Sequence, residues 1–174
     1  MRKIEFKNLV SSSQPDESSH FSLPVINSSI KILEKQLELF KYFNDLPYAM
    51  TAHIKYSKWD NKNMATYSPK IIQKIIRQQL KFKGLIISDD MTMKANQYGI
   101  KESVYKCNQS GVDIFLDCSS DWKRYLEVID SFEITNRYKK SLKKKKLKTS
   151  FNLKSINIIQ YHDLYNELVK VYGI

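Results

Sequence analysis

The most regular pattern in the chain begins at Ser68-Pro69, after which Ile71, Ile72, Ile75, Ile76 and Leu80 recur at spacings of three and four. A serine able to cap, a proline suited to the first turn and a single apolar face predict a helix that runs until Gly84 stops it. A second stripe, Ile30, Leu33, Leu37 and Phe40, follows Ser28-Ser29 and predicts a helix to about Lys41. Tyr48-Ala49-Met50-Thr51-Ala52-His53-Ile54 reads as a buried strand that opens into a loop holding Trp59, Asp60 and Asn61. Leu85-Ile86-Ile87-Ser88 reads as a second strand, with Asp89-Asp90 at its carboxyl end, and Val112 to Cys118 as a third. Helices are predicted near Ile100 to Ser110 and Asp121 to Ser131. A closing helix is predicted over Ile156 to Tyr172, on Leu164, Leu168 and Val171. Met1 to Pro24 is polar, and Ser11 to Ser19 reads as loop because its side chains compete for backbone hydrogen bonds.

Strands that are continuously apolar and alternate with helices predict an α/β fold of three or four parallel strands joined by right-handed crossovers. Periodicity leaves both an open doubly wound sheet and a piece of a closed barrel available. In either, reactive groups gather beyond the carboxyl ends of the strands. His53, Asp89 with Asp90, and Asp117 fall there.

Composition narrows the class. With 174 residues, 42% apolar and 12% aromatic residues, and only four glycines and four prolines, the chain is neither disordered nor collagen-like. At this length a single domain buries roughly 70% of its unfolded surface. No apolar run nears the roughly 20 residues that cross a bilayer, and the charged start lacks a secretory pattern. Cys107 and Cys118 suggest no disulfide framework, so the expected location is the cytosol. The net charge is +11, but Arg137 to Lys148 holds eight positive and no negative side chains, leaving +3 elsewhere. Tyr138, Leu142 and Leu147 allow this run to be a helix docked on its apolar side with lysines in solvent. A phosphate-binding patch is the rival reading. No Gly-rich loop, aromatic RNA-binding pair or zinc-finger spacing accompanies it, which disfavours nucleic acid as partner. His20, His53 and His162 lie far apart, and no metal or other cofactor is implied.

Each candidate residue has a plainer reading. Asp89 and Asp90 suit a helix N-terminus, where the dipole favours an anion. His20 in a polar loop reads as solvated. His53 either lines a pocket or is satisfied by a backbone carbonyl. Met91 and Met93 read as core filling. Asp113, at an apolar place in a strand, reads as a structural hydrogen-bonding group. Trp59 is open between stacking on a sugar and packing.

Four ordered stretches carry a resemblance: Met50-Thr51-Ala52-His53; Asn63 to Pro69; Phe82-Lys83-Gly84-Leu85-Ile86-Ile87-Ser88-Asp89-Asp90-Met91-Thr92-Met93-Lys94-Ala95; and Ser110-Gly111-Val112-Asp113. With Ser19-His20-Phe21-Ser22-Leu23-Pro24 upstream, they resemble the family-3 glycoside hydrolases, specifically the bacterial β-N-acetylhexosaminidases of cell-wall recycling. The resemblance implies part of a TIM (β/α)8 barrel: about the last three parallel strands with their helices, plus C-terminal helices. It divides the chain into a polar segment 1–24 with a catalytic-type loop, a second barrel half over 25–135 and a basic, helical segment 136–174.

The same resemblance implies roles. Asp89 matches the nucleophile of a retaining mechanism, and His20 matches the acid/base on a loop. His53 and Trp59 are candidate substrate-binding residues, and the substrate is a carbohydrate, terminal N-acetylglucosamine on cell-wall fragments. Two departures stand out. Ser18 occupies the place of the family's aspartate two residues before the histidine, with Asp16 and Glu17 the nearest acids. The family's Lys-His-Phe-Pro-Gly-His-Gly stretch has no counterpart in Met1 to Pro15. A rival expectation is therefore a non-catalytic remnant, or a fragment that needs a partner half or self-association.

Overall fold

The computed structural model describes residues 4–5 and 22–144; His20, Asp16, Ser18, the lysines beyond 144 and the expected closing helix lie outside the described residues. The fold is α/β. Strands β1 (Ile4–Glu5), β3 (Tyr48–Met50) and β5 (Leu85–Ile87) form one parallel sheet in the order β1-β3-β5. Ala49 lies at its centre, paired with Ile4 on one side and Ile86 on the other. A single bridge, Ile87 to Ile114, adds the next segment. Strands β2 (Val25–Ile26) and β4 (Lys55–Tyr56) pair separately, also in parallel.

Two features depart from the sequence reading. The first is β1, a strand inside a segment read as a polar opening with no assigned element: two residues among lysines are too short to show any period. The second is the third expected strand, whose pairing is confined to the bridge at Ile114. Beyond that bridge, Ser88 and Met91 still receive this segment, donating backbone N–H to Ile114 O (2.9 Å) and Leu116 O (3.0 Å).

Helix α1 (Ile30–Lys41) starts at Ser29, whose Oγ accepts from Ile32 N at 3.4 Å, and buries Leu33 and Leu37 against the core. Ile30, counted in the apolar stripe, is 49% exposed. The isoleucine helix, Lys70–Gln79, is wound in the wider i→i+5 register of a π-helix, ending with Leu80 N on Ile75 O at 2.9 Å. Its four isoleucines and Leu80 are all buried. Ser68 Oγ accepts from Ile71 N (3.1 Å) and donates to Asp60 Oδ2 (2.7 Å), so the cap also fixes the preceding loop.

The chain leaves this helix through Lys81, in the left-handed region at φ 54°. Gly84 is therefore not the stop that the sequence suggests. A Cβ at Gly84 would collide with the carbonyl oxygens of Leu46 and Pro47, so the glycine permits close backbone approach beside β5. Helix α2 (Ile100–Ser110) ends on Gly111 at φ 91°. Helix α3 (Trp122–Ser131) is capped by Asp121, and α4 (Asn136–Lys144) follows. On α4, Tyr138 faces an open apolar cleft of about 220 Å³ with Val128, Phe132 and Ile134, while Leu142 is exposed. Among the described residues the basic run is thus held by Tyr138 in this cleft and by Arg137, whose Nη1 lies 3.3 Å from Asp113 Oδ1.

Asp113 ties these parts together. Its Oδ2 accepts from Arg77 Nη2 (2.6 Å) and Ile86 N (2.9 Å), and its Oδ1 from Thr135 Oγ1 (2.5 Å) and Arg137 Nη1 (3.3 Å). Burial lowers the Arg77 guanidinium to about 10, against the attraction of Asp113.

Candidate active site

Strand β5 buries Leu85 and Ile86, then delivers Ser88, Asp89 and Asp90 at its carboxyl end. The turn is held from both flanks. On one side Thr51 N donates to Ile87 O (2.9 Å) and Asp89 N donates to Thr51 Oγ1 (3.3 Å). On the other, Ser88 Oγ accepts from Leu116 N (2.8 Å) and Asp90 Oδ1 accepts from Cys118 N (3.1 Å).

The two adjacent carboxylates are used differently. Asp90 accepts from Thr92 N (3.0 Å), Thr92 Oγ1 (2.6 Å) and Cys118 N. Partial burial pushes its carboxyl group upward, but these hydrogen bonds outweigh it and hold the group below the ordinary carboxylate range. Asp89 is 5% exposed, and among the described residues its side chain accepts a single hydrogen bond, from Asp90 N to Oδ1 at 3.0 Å. Its Oδ2 is enclosed without a hydrogen-bond partner among the described residues. Such an oxygen costs free energy in a folded protein, so it marks a place where chemistry and stability compete.

His53 is wholly buried. Its Nε2 lies 3.0 Å from Asp90 O and its Nδ1 3.0 Å from Thr66 Oγ1, with the Tyr67 ring beside it. Desolvation lowers its pKa, against the pull of Asp89 and Asp90, so the ring is neutral at pH 7. Trp59 is half-buried, its ring 5.2 Å from that of Tyr56, and it borders the core beside Ile71 and Ile75. Asp117, the third rim acid, is occupied by Arg124 (Nη2 at 2.5 Å, Nε at 3.1 Å) and by Ser119 N.

The described structure thus brings His53 against the Asp89-Asp90 turn and sets Trp59 in the packing around Tyr56. Thr51 and Thr66, whose hydroxyls lie 2.9 Å apart, were given no role by the sequence reading. A threonine in an apolar strand is the available signal, and it does not say which partner the hydroxyl meets.

Comparison with known proteins supplies the family. Residues 10–145 match the family described as Glycosyl hydrolase family 3 N terminal domain. A β-hexosaminidase of Photobacterium profundum is 35% identical over 107 residues, covering 59% of this chain and 31% of that protein. NagZ from Neisseria gonorrhoeae, solved with N-trifluoroacetyl-D-glucosamine, superposes with a TM-score of 0.62 at 30% identity, over 72% of this chain and 37% of that one. A family-3 β-N-acetylglucosaminidase from Paenibacillus sp. gives 0.64 at 25% identity, over 73% and 27%. The chain therefore spans about a third of the length of the relatives it matches. Because the family match extends over residues 10–145, well over half of the 174-residue chain, and the solved relatives share its fold, this protein belongs to glycosyl hydrolase family 3.

Proposed function

We propose that this chain carries the nucleophile-bearing part of a retaining β-N-acetylhexosaminidase that removes terminal N-acetylglucosamine from peptidoglycan fragments in the cytosol. The observation that carries the reading is Asp89 Oδ2, enclosed at the end of β5 and without a hydrogen-bond partner among the described residues. In this reading Oδ2 attacks the anomeric carbon as the glycosidic bond breaks, and His20 gives its proton to the leaving oxygen. Water then attacks the glycosyl ester, His20 takes the water proton, and the Asp89 carboxylate is restored with the sugar's configuration retained. A strand terminus sutured on both flanks is a stiff mount for the attacking oxygen. Free thiols at Cys107 and Cys118 agree with a reducing compartment.

The same reading makes residues 25–135 a portion of a (β/α)8 barrel. Its support is the run of parallel neighbours β3, β5 and the bridged Ile114, together with the likeness to the glycosidase structures. Among the described residues this sheet has two unpaired edges, at β1 and at the Ile114 segment, which favours completion by another segment or chain.

The test is hydrolysis of an aryl N-acetyl-β-glucosaminide. Asp89→Asn is expected to lower kcat by at least about 1,000-fold, the usual cost of removing a covalent nucleophile, with the circular dichroism spectrum unchanged. Wild-type turnover by Asp89→Asn would assign the nucleophile elsewhere.

A further inference from the structure

The Asp89-Asp90 peptide is gripped at both ends by one hydrogen-bond chain whose direction can be deduced. Asp90 O, a carbonyl, can only accept, so the proton in the 3.0 Å contact sits on His53 Nε2. In a neutral ring Nδ1 then carries a lone pair and accepts from Thr66 Oγ1, 3.0 Å away. With its single proton so used, Thr66 Oγ1 accepts from Thr51 Oγ1 at 2.9 Å. Thr51 Oγ1 in turn accepts from Asp89 N at 3.3 Å. Each hydroxyl donates once and accepts once, and the chain begins at the Asp89 amide and closes on the Asp90 carbonyl.

We propose that Thr51, Thr66 and His53 are positioning residues whose one-directional hydrogen-bond chain fixes the Asp89 backbone so that its carboxyl group keeps one oxygen free. The inference rests on Asp89 being the nucleophile, and it gives His53 a task that needs no contact with sugar. Bonds aligned in one direction polarise one another, and the surroundings exclude competing water, since Thr51, Thr66 and His53 are all at most 1% exposed. The chain has one alternative outlet: Ala52 O lies 3.1 Å from Thr66 Oγ1 and competes for its proton. Protonating Nδ1 would reverse that contact and send the Thr66 proton to Ala52, so the one-way order of the chain requires the neutral ring.

Two measurements on the full chain test this. Nitrogen-15 NMR of the imidazole is expected to report the Nε2–H tautomer of His53 at neutral pH, and Thr66→Val is expected to change the Nδ1 shift by removing its donor. A Nδ1–H tautomer or an imidazolium at neutral pH would overturn the proposal, whether or not the chain turns over substrate. In hydrolysis of the aryl glycoside, Thr66→Val and Thr51→Val are expected to lower kcat about 10- to 100-fold with KM within about threefold, as small misplacements of reacting groups do. Thr66→Ser, which keeps the hydroxyl, is expected to recover most of the loss. If both valine variants keep wild-type kcat while Asp89→Asn abolishes turnover, the positioning role is wrong and the nucleophile stands. If Asp89→Asn keeps turnover, the nucleophile assignment is wrong instead.

Discussion

Asp113 and Asp89 are both carboxylic acids sealed in the interior, and their partners separate them. Asp113 accepts from two arginines, a threonine and a backbone amide, whereas Asp89 leaves Oδ2 unspent. Truncating one side of a buried ion pair strands the other charge, so Asp113→Ala is expected to cost about 3–5 kcal/mol in urea unfolding. Asp89→Asn, which removes no hydrogen-bonded pair, is expected to keep or raise stability, and a loss above about 1 kcal/mol would contradict the picture of an oxygen held for chemistry. Asp60, Asp90 and Asp117 are each held below the ordinary value of 3.8: partial burial opposes this, and hydrogen bonds, for Asp117 chiefly from Arg124, prevail. Their stabilisation is present above 3.8 and is lost as pH falls through the lower folded values. His53, lowered from 6.5 by burial, adds stability that is present above 6.5 and lost as acid charges it. Urea midpoints are therefore expected to decline in two stages on acidification, with only the earlier one absent in His53→Gln. The place of Asp113 in an apolar strand made its structural role legible in the sequence. The pairing of Thr51 with Thr66 was not, because hydroxyl partners fifteen residues apart are set by how the segment after β3 packs on the helical turn Ala65–Tyr67.

Caps and apolar stripes were the readable part of the helices. Ser29 and Ser68 stand where their chemistry places them, and Ser68→Ala is expected to cost about 1–2 kcal/mol because both the helix end and Asp60 lose a bond. The winding was not readable: isoleucines at spacings of three and four mark one face in an i→i+4 or an i→i+5 helix alike. Gly84 was assigned the wrong task for a related reason, since the collision it avoids is with residues 46–47, remote in sequence. Gly84→Ala is expected to destabilise by about 1–3 kcal/mol through overpacking. A neutral result in urea unfolding would mean that the backbones beside β5 separate easily.

For the molecule, alternating strands and helices dictated a parallel α/β sheet, and the strand-end motifs dictated the family. The extra strand at Ile4–Glu5 needed coordinates, because pairing with Ala49 and Met50, not local pattern, makes those two residues a strand. The proposed hydrolase needs more than this sheet: a histidine brought in from above, and the unpaired edges completed. Size-exclusion chromatography is expected to show self-association or capture of a complementary segment, and an active monomer would show that the described edges need no covering. One observation reaches the nucleophile itself. Incubating the chain with a slow 5-fluoro N-acetylglucosaminyl fluoride, digesting it and weighing the peptides is expected to find the sugar esterified to Asp89. A labelled peptide that excludes Asp89, with Asp89→Asn hydrolysing substrate as the wild type does, would contradict it.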